Sequence, residues 1–193
     1  MKVVLATKNP GKLRELQELA SGNTSVELVL APDSFNAEET GNTFLANAEI
    51  KARAAALATG LPAVADDSGI EVNALGGRPG VYSARYCEGS DADRRLKLGR
   101  EVKESGSSDR GAAFVCAMVY CSPAGVVLHT VEERWHGSIQ DKETGSNGFG
   151  YDPIFYVEEF KRSAAELTMQ EKNLLSHRAK AWRAMSKYLQ ELR

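Results

Sequence analysis

Two short stretches carry the residue types that handle phosphate and a hard cation. In "ATKNPGKLRELQEL", residues 6–19, Thr7, Lys8, Asn9, Pro10, Gly11 and Lys12 stand between an apolar run, "KVVLA", and a helical pattern of Leu13, Leu16, Leu19 and Ala20. A strand-to-helix turn leaves N–H groups free at the helix start, and those groups and the helix dipole favour an anion. Gly11 permits close backbone approach, Lys12 adds a point charge, and Thr7 and Asn9 add hydrogen-bonding groups. The spacing is not that of a Walker loop, and an ordinary turn with solvated lysines would use the same residues. The second stretch, "ADDSG", puts Asp66 and Asp67 at the end of a strand-like run. Adjacent carboxylates there are costly unless paired or bound to a cation. In a strand they point to opposite faces. Mg2+ takes one or two carboxylates and completes its shell with water and phosphate oxygens; a capped turn at Asp67 and Ser68 is the alternative.

Two further stretches add partners. "AEETGNTFLANAEIKARA" places Glu38 and Glu39 before a helix on which Asn47 and Lys51, at i and i+4, form a polar stripe with Thr43 beside Phe44, Ala48 and Ala55. The carboxylates also suit the dipole of the following helix, and the stripe also suits a solvated face. "GFGYDP" flanks Phe149 with glycines and continues through Gly150 and Tyr151 to Asp152, while "EKNLLSHR" supplies Lys172, His177 and Arg178. Phe149 offers a ring for stacking on a base, and Arg178 a fixed fork of donors for a carbonyl or phosphate. Phe149 and Tyr151 as core residues, and Ser176, His177 and Arg178 as a plain helix start, are the other readings.

The elements that must position these residues follow from periodicity. A strand is predicted over 2–6, a helix over 12–20, a strand near 26–30, and an alanine-rich helix over 43–59 closed by Gly60. "PAVADDSG" reads as a short buried strand, and "IEVNALGGRPGVYSARY" as a strand and a Gly/Pro-rich loop. Residues 91–105 are helical in composition; 112–121 and 126–135 alternate as a hairpin turned at "SPAG". The segment from 170 to 192 is helical with a break near Ser176. This order predicts an α/β fold with a mixed central β-sheet flanked by helices, in one domain over residues 1–193.

With 193 residues and 42% hydrophobic content the chain can bury a core without staples. A net charge of −2 argues against nucleic acid held by bulk electrostatics, and no apolar stretch is long enough to span a membrane. Met1 leads straight into a strand-like run without a signal-peptide pattern, so a cytoplasmic location is expected. Cys87, Cys116 and Cys121 are expected to be free thiols, and the histidines show no zinc spacing.

Taken in order along nearly the whole chain, "TKNPGK", "EETGNTFLANAEIKA", "ADDSGIEV", "LGGRPGVYSARY", "GFGYDPIF" and "AAELTMQEKNLLSHR" resemble the motifs of the inosine/xanthosine triphosphate pyrophosphatases, the Ham1 or RdgB-like family. The resemblance implies two lobes around a substrate cleft (a Maf/Ham1-like fold), a homodimer, and Mg2+-dependent hydrolysis of non-standard purine nucleoside triphosphates to the monophosphate and pyrophosphate. It implies that Thr7, Lys8, Asn9, Pro10, Gly11 and Lys12 hold the triphosphate, with Lys51 as a second contact. Glu38 and Asp67 would hold the metal, Asp67 would also act as general base, and Ser68 would touch the substrate. Phe149, Gly150, Tyr151, Asp152, Lys172, His177 and Arg178 would form the base pocket and its rim. One position departs from the pattern: many relatives carry glycine where this chain has Lys8. A Maf-like pyrophosphatase and a non-catalytic nucleotide-binding protein are the rival readings; "SHR" after "FGYD" opposes the first, and the intact Lys12, Glu38 and Asp67 set the second.

Overall fold

The apolar start of the chain forms strand β1 (Lys2–Leu5), with Val3, Val4 and Leu5 buried. The structure, a computed structural model, describes residues 1–21, 26–32 and 35–192. Helix α1 (Pro10–Ala20) begins two residues earlier than its apolar periodicity predicts, because Pro10 takes the first helical position, where a missing N–H costs nothing. Strand β2 (Glu27–Leu30) pairs parallel with β1, and so does strand β3 (Ala63–Val72). Parallel neighbours require crossovers, supplied by α1 and by helix α2 (Phe44–Thr59). Thr43 caps α2 by accepting the Ala46 N–H, and Gly60 closes it at a φ of 68°, where a side chain would be strained.

Strand β3 corrects one expectation. Instead of one short strand ending at "DDSG" and a second starting at Ile70, it is a single strand that runs unbroken to Val72, with Ile70 and Val72 buried on either side of Glu71. Asp66, Asp67 and Ser68 therefore sit on rigid strand backbone. Helix α3 (Asp91–Glu104) follows, opened by a capping box between Ser90 and Asp93. The predicted hairpin is strands β4 (Gly111–Cys121) and β5 (Val127–Ile139), with β5 starting one residue later and ending four residues later than its alternation suggested. Strands β6 (Phe155–Val157) and β7 (Arg162–Ser163) are too short to show a period. Helix α4 (Met169–Leu175) ends at Ser176, which is extended, and helix α5 (His177–Glu191) starts immediately after it, where the sequence placed a break.

The strands form one mixed sheet in the order β2-β1-β3-β4-β5-β6-β7, parallel among the first three and antiparallel from β5 to β7. The chain divides into two compact units whose boundaries fall within β3, β4 and β5 and between α4 and α5. Unit one comprises Met1–Asp67, Cys116–Glu133 and His177–Arg193, and its core joins Leu5, Leu16, Val64, Met118, Trp182 and Met185. Unit two comprises Ser68–Val115 and Arg134–Ser176, with a core around Ile70, Leu98, Phe114, Trp135, Phe155 and Leu167. All three cysteines are free thiols, and no helix among the described residues is long and apolar enough to cross a membrane.

Candidate active site

In unit one the buried ionic groups gather where α1, α2 and α5 meet Asp66 and Asp67, in the middle of β3. Asn9 caps α1: its Oδ1 accepts the N–H groups of Gly11 at 2.9 Å and Lys12 at 3.1 Å. Two of the N–H groups expected to receive an anion are thus already satisfied, and lysine ammoniums carry the positive charge instead. Lys12 Nζ lies 3.2 Å from Asp66 Oδ2 and 4.0 Å from Asp67 Oδ1. From α2, Lys51 Nζ lies 3.7 Å from the same Asp67 oxygen and 2.6 Å from Glu39 Oε1. Asp67 Oδ2 accepts the Asn47 amide at 3.1 Å, and Asn47 in turn accepts the Gly41 N–H at 2.8 Å. Gly41 is required there, since a Cβ would lie 2.7 Å from that of Ala46 and 2.8 Å from Asn47 Oδ1.

Behind this face stands a buried ion-pair network. Arg178 Nη1 pairs with Glu15, and its Nε lies 3.4 Å from Asp66 Oδ2. Glu15, Asp66 and Arg178 are each no more than 3% exposed. The neighbouring aspartates are driven apart electrostatically. Burial pushes Asp66 up, but Lys12, Arg178 and Lys51 outweigh it and hold the carboxyl well below the usual range. At Asp67 burial is not fully offset by Lys51 and Lys12, Glu39 adds repulsion, and the carboxyl is raised. Burial opposes the charge on Lys51, yet Asp66, Asp67 and Glu39 keep it firmly ammonium. Separating two carboxylates in this way suits one for fixed charge and the other for proton transfer. Cys116, on β4, is pushed up to about 12, chiefly by burial and then by Asp66, so it stays a neutral thiol.

Unit two holds the other candidate residues. The Asp152 carboxylate accepts the Phe149 N–H at 2.9 Å and pairs with Lys172 Nζ at 2.6 Å. Asp152 and Lys172 are both buried. The same ammonium sits 5.3 Å from the centre of the Phe149 ring. Gly148 has a φ of 73°, and a Cβ on it would fall 2.0 Å from Asp152 Oδ2, so only glycine lets the turn close on that carboxylate. The Tyr151 hydroxyl donates to the Ser83 carbonyl at 2.8 Å. Phe149 and Gly150 remain partly exposed, as does Ser68 on β3.

Of the residues singled out from sequence, unit one brings together Lys12, Lys51, Asp67 and Arg178. Thr7, Lys8, Asn9 and Pro10 stand at the mouth of α1, and His177 is buried at the start of α5. Unit two gathers Phe149, Gly150, Tyr151, Asp152 and Lys172. Glu38 is exposed, and its neighbour Glu39 is the one paired with Lys51. Arg178 directs Nε and Nη1 at carboxylates. Glu15 escaped the sequence reading; its signal is a glutamate three residues after Lys12 and next to Leu16, on the buried side of α1.

Among the described residues no three or more His, Cys, Asp or Glu side chains assemble a metal cage. Mg2+ does not need one: it takes one or two carboxylates with water and phosphate oxygens. The all-oxygen donor set fits such an ion, and Asp66 Oδ1 is buried without a hydrogen-bond partner beside Asp67.

The profile of the Ham1 family matches residues 3–188. A dITP/XTP pyrophosphatase of Pectobacterium atrosepticum is 50% identical, covering 95% of each chain. One from Coxiella burnetii is 44% identical over 99% of this chain and 98% of its own. Among solved structures, a HAM1 protein from Coxiella burnetii superposes with a TM-score of 0.89 at 43% identity, covering 99% of both chains. The Staphylococcus aureus Ham1 protein does so with a TM-score of 0.85 at 36% identity, covering 100% of both.

Proposed function

Because the chain belongs to the Ham1 family, we propose that it hydrolyses inosine, deoxyinosine and xanthosine triphosphates to the monophosphate and pyrophosphate, and so cleans the nucleotide pool. The observation that carries this reading is Asp67: a raised carboxyl on rigid strand, with Lys12 and Lys51 both within 4.0 Å of one oxygen and Asn47 on the other. Asp67 takes the proton of the attacking water as it adds to the α-phosphorus. The α–β anhydride bond breaks, pyrophosphate leaves with its electron pair, and Lys12 and Lys51 hold the charge that develops there. No covalent nucleophile is required, and Cys116, a neutral buried thiol, is unsuited to be one.

Thr7, Lys8, Asn9, Pro10 and Gly11 line the phosphate approach in this reading, and Ser68, Phe149, Gly150, Tyr151, Asp152, Lys172 and His177 serve the nucleoside. Asp67 and Glu38 would hold Mg2+, with the buried Asp66 carboxylate next to Asp67 on the strand; the ion would supply Lewis-acid stabilisation of phosphate charge. The whole chain acts as one pyrophosphatase domain, as a homodimer in the cytoplasm; three free thiols support a reducing compartment.

The test is purified protein with Mg2+ and a panel of triphosphates, with phosphate and pyrophosphate detected separately. Inosine triphosphate should give pyrophosphate. Release of orthophosphate with a diphosphate product would refute the reading, and binding without turnover would favour a nucleotide-binding protein.

A further inference from the structure

Helix α3 holds both sides of Gly150. The Gly150 N–H donates to Asp91 Oδ2 at 2.9 Å, and the Gly150 carbonyl accepts from Arg95 Nη1 at 2.8 Å. Asp91 and Arg95 are at i and i+4, on one face of the first turns of α3. Neither side chain is free to drift. The other Asp91 oxygen takes Arg94 Nη1 at 2.9 Å, and Arg95 forks onto Glu143 through Nε at 2.9 Å and Nη2 at 3.0 Å. Arg95 itself is nearly buried.

The consequence falls on Phe149. The peptide before it is fixed by its N–H on Asp152, and the peptide after it by the Gly150 N–H on Asp91. Arg95 fixes the next peptide, so the backbone of Gly150, at a φ of 63°, is held from both ends. With both flanking peptide planes held, the direction in which the Phe149 ring leaves the loop is set before any ligand arrives. Pre-organisation of this kind is worth most in a residue that selects by stacking, because ordering is not demanded at binding.

We infer that Asp91 and Arg95 are positioning residues for base selection, acting on the nucleoside through Gly150 and Phe149; this rests on the reading above that the Phe149 loop serves the base. The experiment compares wild type, Phe149→Ala, Arg95→Met, Asp91→Ala and the Phe149→Ala/Arg95→Met pair, with inosine and adenosine triphosphates and Mg2+. Arg95→Met is expected to raise KM for inosine triphosphate by about tenfold with kcat within about twofold, and to narrow the gap between the two substrates. The double variant should be no worse than Phe149→Ala, since both act on one ring. Asp91→Ala, at the more exposed end of the clamp, should shift KM in the same direction and decides the matter if Arg95→Met does not fold. Unchanged KM in the clamp variants, or losses that add to those of Phe149→Ala, would overturn the inference. Selectivity unaltered in Phe149→Ala would sink the reading of the loop, and a wild type inactive on every purine triphosphate the proposed function; the inference falls with either.

Discussion

Lys12 Nζ and Asp66 Oδ2 lie 3.2 Å apart, so the lysine of the α1 turn is held by a carboxylate that is itself clamped from behind by Arg178. A lysine tethered in this way keeps its charge at a fixed place without spending rotamer entropy on each encounter with an anion. Lys12→Ala should lower kcat/KM for inosine triphosphate by roughly ten- to a hundredfold, the loss of one charge-assisted phosphate contact. Asp66 retains Arg178, so melting should change less than in a variant that removes the arginine. Steady-state kinetics alongside thermal melts test both parts; unchanged kinetics would make Lys12 a structural partner of Asp66 only.

Asp66 and Asp67 should respond oppositely to the same isosteric change. The fold favours the charged form of Asp66 and disfavours that of Asp67. Asp66→Asn therefore removes a favourable interaction and should lower stability, whereas Asp67→Asn removes an unfavourable one and should leave melting unchanged or slightly raised. Activity should show the reverse emphasis: losing the general base at Asp67 costs about 10²–10⁴-fold in kcat. Near-normal kcat in Asp67→Asn at saturating Mg2+ would show that the base lies elsewhere.

Much of this site was legible because its parts are local in sequence. The Asn47–Lys51 pair follows from helical spacing beside Ala48 and Ala55, and both now converge on Asp67. Gly60 and the break at Ser176 were visible from composition alone. Long-range pairing was not legible. Nothing local says that Glu15 on α1 meets Arg178 on α5, or that Asp91 and Arg95 on α3 grip Gly150. The continuation of β3 through "DDSG" was missed for another reason: Asp, Ser and Gly carry turn propensity, and sheet pairing with burial of Ile70 and Val72 overrides it.

Arg178→Met tests whether the arginine serves the base or the network. Its Nη1 and Nε are on Glu15 and Asp66, so the substitution strands buried carboxylates, a change that costs about 3–5 kcal/mol when one partner of a buried pair is removed. Adding Glu15→Leu should recover part of that stability without restoring activity. On this geometry the proportional loss in kcat/KM should be similar for inosine, adenosine and guanosine triphosphates. A loss concentrated on inosine triphosphate would assign Arg178 to the base, as the sequence resemblance implied.

The entrance to the Phe149 loop should loosen in acid. Glu166 accepts the Ser163 N–H at 2.8 Å and the Thr144 hydroxyl at 2.9 Å, which ties the strand of chain before Gly148 to the turn after β7. Gly145 lies against this turn: a Cβ there would come within 2.3 Å of the Ala165 carbonyl group. The backbone bond from Ser163, then the Thr144 bond, lowers the Glu166 carboxyl below the usual glutamate range. A lowered folded value means that the unfolded chain binds the proton more readily. The stabilising contribution is therefore complete above the unfolded value of about 4.3 and is lost as pH falls towards the folded one. Glu166→Gln cannot titrate, so its stability should fall less steeply than that of wild type as pH is lowered from about 5 to 3. At neutral pH it should be uniformly less stable. Urea denaturation across that range measures both slopes; parallel profiles would mean that the Glu166 bonds contribute nothing to acid sensitivity.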